Sequence, residues 1–403
     1  MGRFLRRKQT LGGGTAVTFD YTYSLEGRLT NVMKDGVTYE HYDYSAQNGN
    51  RSAAPPPFLS VTAPQVSYDA HDRLTTYGPY RYTYTNNGSL LTKTDTRTTP
   101  ASVTTYAYDA QGNLLAVTPS SGPAISYIVD GQNRRIAKKV GASTVKQWIY
   151  RDSLKPVAEL DGSGSLVSIF VYASNSNTPD LVVRNNATYR LLTDHVGSVL
   201  RAVNVADSSD VAFAAEYTAF GEQTVTTGNA DFVPFGFAGG LSDAQTGLVR
   251  FGARDYDPSV GRWTSKDPIL FDGGQANLYV YVNNDPVNLT DPEGRAVPPW
   301  VWTIPFWDGP EPGPADLAAA VLLVCIAAAD ILDAPISDAE RCEQEWAAAN
   351  RKCGGLIVDS SEEARRLRGG YSNVYDCAKG HVTKDCGGNL IDYGPKRRRR
   401  VFR

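Results

Sequence analysis

Four stretches decide the fold: Tyr23-SLEGR-Leu29, Tyr68-DAHDR-Leu74, Tyr84-TNNGS-Leu90 and Tyr108-DAQGN-Leu114. In each, a tyrosine is followed at one fixed spacing by a leucine, with turn-forming residues between them. A degenerate copy, VDGQNRRIAKKV, occupies residues 129–140. The aromatic closes one strand, the Gly/Asn/Asp cluster turns the chain, and the aliphatic opens the next strand. One such hairpin cannot bury its own face. Recurrence at a fixed spacing therefore predicts neighbours stacked into a continuous sheet rather than an ordinary meander. The irregular stretch 48–64, with Pro55-Pro56-Pro57, reads as a loop or an edge interruption.

Composition agrees with a large β-rich surface. The chain has Tyr 23 and Gly 37 against Phe 13 and Met 2, and tyrosine suits half-buried strands as glycine suits turns. Its length of 403 residues allows two or three domains. Hydrophobic residues at 41% and charged residues at 21% exclude a disordered chain and a membrane-embedded one. Lys+Arg 40 against Asp+Glu 43 leaves a net charge of −3. No nucleic-acid partner acting through the overall field is expected for the β-rich part. Four histidines (His41, His71, His195, His381) are too few for multi-His sites, so no metal and no cofactor is expected. The N-terminal MGRFLRRKQT has basic residues but no apolar segment behind them, so no signal peptide is read in this chain.

The hairpin units resemble the tyrosine-aspartate (YD) repeats of the Rhs family. Tyr68-Asp69 and Tyr108-Asp109 carry the dipeptide, and Tyr42-Asp43 carries it with a degraded continuation. The resemblance becomes dense in LLTDHVGSV (191–199), EYTAFGE (216–222), PFGFAGGLSDAQTGLVRFGARDYDPSVGRWTSKDPI (234–269) and NLYVYVNNDPVNLTDPEG (277–294). Together these resemble the Rhs repeat-associated core, which plugs a hollow β-cage ahead of a variable tip. The expected fold class is mainly β: YD-repeat hairpins stacked as a spiralling sheet with a core plug, then a small helical Cys-containing C-terminal domain. The repeats are too few to close a cage, so a partial β-cage is expected. The division is 1–188 for the repeats, 189–294 for the core and 295–403 for the tip.

The core can also be read without the family. Gly247, Gly252 and Gly261 punctuate short strands, and Asp257-Pro258 and Asp285-Pro286 start turns. Alternation in LVRFGARDY (248–256) is imperfect, so both faces are expected to meet something. An inward Arg250 or Arg254 needs a carboxylate, with Asp243, Asp255, Asp257 and Asp267 the candidates. His195 could be drawn as a base beside Asp194 and Ser198. It reads instead as a hydrogen-bonded residue of a strand turn.

The Rhs core and the related C component of Tc toxins cut their own chain just after a P-x4-D-P-x-G-L motif, with two aspartates implicated. The resemblance maps these onto Asp267 in SKDPI and Asp291 in TDPEG, with Arg254 as a supporting charge. Arg262 and Lys266 are weaker candidates for that role. Two close carboxylates cannot both ionise cheaply, so one keeps a proton as acid while the other activates water. The cleavage region is then Pro286, Pro292, Gly294 and Arg295. Arg295 stands where the family has leucine, and a guanidinium in an apolar pocket would weigh against cutting between Arg295 and Ala296. The plainer reading is that each Asp-Pro pair only shapes a turn.

Beyond Gly294 the composition shifts. Residues 297–314 are rich in Trp and Pro, and 317–329 are an unbroken apolar run too short to span a bilayer. That run reads as a buried helix, with membrane contact of the tip the lesser alternative. Residues 337–355 read as a helix capped by Ser337 and Glu340 and stopped at Gly354. All five cysteines follow Val324. Cys342 and Cys353 lie on one helix face, too far apart to bond each other, and Cys377 and Cys386 offer a second pair. Disulfides, free buried thiols and zinc all stay open, with nested Cys342–Cys386 and Cys353–Cys377 bonds the natural pairing. A Cys377 or Cys386 nucleophile with His381 has little behind it, and KRRRR (396–400) reads as a solvated tail.

The resemblance implies the C-terminal part of an Rhs-type polymorphic toxin or surface protein. Its cage and core would encapsulate or present the tip, with release by aspartate-dependent self-cleavage after DPEG. It also implies a bacterial, secreted or cell-surface protein whose partners are secretion machinery and a cognate immunity protein. The alternative is a non-cleaved structural or adhesion fragment with no enzymatic activity.

Overall fold

The computed structural model describes residues 3–10, 14–45, 48–52, 66–174 and 177–295. The expected C-terminal helices and the cysteines lie outside them. Within the described residues the strands form three antiparallel sheets, and the helical elements are brief 3-10 turns.

Each copy of the repeat makes a hairpin. Tyr23 pairs directly with Leu29, Tyr68 with Leu74, Tyr84 with Leu90 and Tyr108 with Leu114, and a bulge interrupts the ladder beside each pair. The four leucines are buried. The turn between them is held by its own side chains. Asp109 Oδ1 accepts the N–H groups of Gln111 and Asn113 at 2.9 and 2.8 Å. Gly112 takes φ +88°, a left-handed conformation that a Cβ disfavours. The carboxylate thus satisfies donors that the turn leaves unpaired. Asp69 does the same for His71 and Arg73, with Asp72 supplying the left-handed residue at φ 59°.

The same pairing recurs where the tyrosine is missing, at Val129–Arg135, Leu160–Leu166 and Thr193–Val199. It appears again at Tyr150–Pro156 and Tyr217–Gln223. The repeat therefore runs further than its aromatic signature. Sixteen strands, from β5 (Val66–Tyr68) to β20 (Gln223–Gly228), form one sheet in strict chain order; we call it the wall. Its strand β17 (Ala187–Thr193) lies across the 188/189 division and pairs on both sides. A first sheet precedes the wall: β1 (Arg6–Gln9), β2 (Val17–Tyr23), β3 (Leu29–Lys34) and β4 (Val37–His41). It packs near the far end of the wall, where the buried Glu40 accepts the Ala219 N–H and the Tyr42 hydroxyl. Arg51 lies 3.5 Å from the Phe220 ring centre.

The third sheet is the plug: β21 (Leu241–Asp243), β22 (Leu248–Phe251), β23 (Arg254–Asp257) and β24 (Arg262–Trp263). Every residue of β22 and β23 is buried, which explains the imperfect alternation. Its carboxylates reach the wall. Asp243 meets Lys138 at 2.7 Å, Asp255 meets Arg135 at 2.8 Å and Asp257 meets Lys93 at 3.2 Å. Asp255 also holds Arg250 of the plug at 3.0 Å. Desolvated charges are costly unless paired and hydrogen-bonded, and these are.

Candidate functional site

The plug brings three separate segments to one point. Arg254 opens β23 directly after the Gly252-Ala253 turn. Asp267 begins an Asp-Pro step after β24, and Asp291 begins another after the 3-10 turn Val282–Asn284. The proline after each aspartate disfavours helical backbone at the aspartate itself.

One nitrogen bridges the two carboxylates. Arg254 Nη2 is 2.9 Å from Asp267 Oδ2 and 3.0 Å from Asp291 Oδ2, so the two acids lie within about 6 Å, close enough to affect each other's protonation. Arg254 Nε donates to the Gly294 carbonyl at 2.6 Å and Nη1 to the Leu278 carbonyl at 3.3 Å. Its guanidinium stands 4.1 Å from the Trp263 ring centre. Asp267 Oδ1 accepts the Ile269 N–H and Asp291 Oδ1 accepts the Arg295 N–H, both at 3.0 Å. Arg254, Asp267 and Asp291 are 2%, 3% and 4% exposed, so water hardly screens these charges.

Burial pushes the Asp291 carboxyl up to about 7, against the pull of Arg254 and the Arg295 N–H, while Asp267 adds to the push. Burial also lowers Arg254 below its ordinary value, and the two carboxylates oppose that. Two buried acids this close cannot both be ionised as cheaply as one, even beside a cation.

Pro286 follows Asp285, which Arg3 Nε holds at 3.1 Å, and Asn288 Oδ1 accepts the Phe4 N–H at 2.8 Å. Pro292 is half-buried, Gly294 is buried and Arg295 is exposed. The weaker candidates lie elsewhere. Arg262 is bonded to Asn50 Oδ1 and the Asp72 carbonyl, and Lys266 is exposed. His195 Nε2 meets the Val287 carbonyl. Asp194 Oδ1 accepts the Ser198 N–H and Ser198 Oγ accepts the Ala238 N–H. Each member of that imagined triad is engaged as a turn or packing residue.

Among the described residues, no group of three or more His, Cys, Asp and Glu is placed to hold a metal ion, and no helix is long and apolar enough to cross a membrane. Gly252 was read only as a strand boundary; the part that the Gly252-Ala253 turn and the Leu278 carbonyl take in the site was missed from the sequence. The glycines at 252 and 294 were the available signal for the first, and backbone oxygens leave none.

Hairpins in strict chain order, turned on the recurrent tyrosine-to-leucine spacing, belong to a protein of the Rhs/YD-repeat shell family. The chain matches the Teneurin YD-shell family over residues 1–287 and belongs to it. The match stops before Asp291. The chain is similar to Teneurin-3 of Mus musculus, 28% identical over 299 residues that cover 72% of this chain and 10% of that protein. It is also similar to the tRNA nuclease WapA of Bacillus subtilis, 27% identical over 290 residues that cover 69% and 12%. It thus spans about a tenth of the length of these curated relatives. Among solved structures, the crystal structure of TcdB2-TccC3-TEV aligns over 71% of this chain and 17% of that chain, at 18% identity and TM-score 0.42. The relatives come from animals as well as bacteria, so membership does not assign the bacterial origin expected from the sequence.

Proposed function

We propose that this chain is the shell-and-plug part of a longer toxin-type or surface protein, which presents the segment after Gly294 and frees it by cutting its own Arg295–Ala296 bond. The observation that carries the reading is Arg254, bonded at once to both aspartates and to the carbonyl of Gly294. Asp267 takes a proton from a water whose oxygen adds to the Arg295 carbonyl carbon. Asp291, protonated, gives its proton to the Ala296 nitrogen as the C–N bond breaks. The products are an Arg295 carboxylate and a free Ala296 amine. A secreted or surface location, with secretion machinery and an immunity protein as partners, goes with this reading.

Intact mass of the purified chain tests it. The 43.7 kDa wild type is expected to lose a tip of about 12 kDa, while Asp291→Asn and Asp267→Asn stay whole. The general acid needs its proton, so the rate is expected to fall as pH rises through about 7. The same raised carboxyl favours the folded state most at low pH, a contribution lost as pH rises through that value. A wild type that stays whole at every pH would favour the second reading, an uncut structural or adhesion scaffold.

A further inference from the structure

We infer that the β22–β23 turn, Gly252-Ala253, is a positioning element of this site: it grips the backbone at Glu293-Gly294 and thereby sets the bond that follows Arg295 against the two carboxylates. The inference rests on the self-cleavage reading above and adds to it the part that holds the substrate segment.

The grip is made of backbone. The Ala253 N–H donates to the Glu293 carbonyl at 2.8 Å, and the Gly294 N–H donates to the Asp291 carbonyl at 3.2 Å. The Gly294 carbonyl takes the Arg254 Nε and the Arg295 N–H reaches Asp291 Oδ1. Four successive polar groups of the segment, from the Glu293 carbonyl to the Arg295 N–H, are therefore engaged.

The approach is too close for side chains on either partner. A Cβ on Gly294 would lie 2.2 Å from the Phe251 carbonyl oxygen and 2.8 Å from the Arg254 nitrogen, and Gly294 itself sits at φ +63°. A Cβ on Gly252 would lie 2.3 Å from the Glu293 carbonyl oxygen. These obstacles are backbone atoms, which cannot swing aside as the end of a long side chain can. Glycine on both sides is what lets two backbones touch here.

Position and chemistry then share one side chain. Arg254 follows the turn directly, bonds the gripped carbonyl and bridges both acids, so displacing the segment shifts the Arg295 amide off Asp291 and disturbs the bridge together. Misplacement of a reacting group by about 1 Å costs on the order of 100-fold in rate.

Two measurements on the full chain test this. Amide hydrogen exchange of the wild type is expected to show the Ala253 and Arg295 N–H groups protected at least about 100-fold over an open chain. Open-chain exchange at either amide, with wall amides still protected, overturns the grip without needing any variant. Cleavage by Gly294→Ala and Gly252→Ala is expected to be slower by about 100-fold or more, with the wall amides still protected and the pH limb of the residual rate moved upward, because Asp291 loses the Arg295 N–H that holds its carboxyl down. If both variants cut at the wild-type rate while Asp291→Asn does not cut, the turn has no positioning role and the carboxylate reading stands. If the wild type is never cut, both fail.

Discussion

The wall and the plug hold together by opposite means. In the wall, sequence neighbours are space neighbours: each strand pairs with the next, and each turn is closed by bonds within a few residues. Stability there accumulates from repeated local pieces. In the plug, Asp243, Arg250, Arg254, Asp255, Asp257, Asp267 and Asp291 are all buried, and most find partners far away in the chain. The two regions meet at a flaw in the repeat. Where Tyr108's hairpin buries Leu114, the hairpin of Val129 puts Arg135. That arginine is 4% exposed, lies 3.5 Å from the Tyr127 ring centre and bonds Asp255 of the plug at 2.8 Å. A copy that departs from the repeat marks where something else is held.

The hardest test of this contrast is Asp255→Ala, which leaves two buried guanidiniums, Arg135 and Arg250, without their carboxylate. Removing one partner of a buried pair costs about 3–5 kcal/mol, and urea unfolding is expected to register a loss of that size. Adding Arg135→Leu, which restores the repeat's leucine, should recover part of it; strictly additive losses would mean that the wall and plug are not coupled there. A smaller effect is expected from Tyr127→Phe. It deletes the hydroxyl that donates to Asp243 at 2.7 Å while Lys138 stays paired, for a loss of about 1.5 kcal/mol. An unchanged midpoint would show that Lys138 alone satisfies Asp243.

This division also explains what could be read in advance. The hairpins were legible because a tyrosine, a turn and a leucine are contiguous and each has a local physical job. The later copies were harder to see, since Leu160 and Thr193 replace the tyrosine while the turns Asp161-GS-Gly164 and Asp194-HV-Gly197 persist. The durable signal is the turn acceptor with its left-handed residue, not the aromatic. The carboxylates needed by Arg250 and Arg254 were predicted as a set, and the structure pairs them with Asp255 and with Asp267 and Asp291. That Asp243 and Asp257 would instead bind lysines of the wall was not legible, because no sequence pattern links Lys138 or Lys93 to strands a hundred or more residues later.

The smallest effects belong to the wall's turns, and they separate local from long-range glycines. Asp109→Ala removes the acceptor of two turn N–H groups, a change comparable to losing a helix cap and worth about 1 kcal/mol. Gly112→Asn should change stability by less than about 0.5 kcal/mol. Nothing lies within 4 Å of the Cβ it would add, and Asn133 already holds the equivalent place in the next-but-one hairpin at φ 63°. Asparagine tolerates that backbone as single residues do in other turns. The plug's Gly252 and Gly294 have no such freedom, because a Cβ there meets backbone. Thermal melts of the two asparagine variants, Gly112→Asn and Gly294→Asn, should therefore diverge; equal melts would show that φ alone governs both positions and that the close approach in the plug contributes nothing.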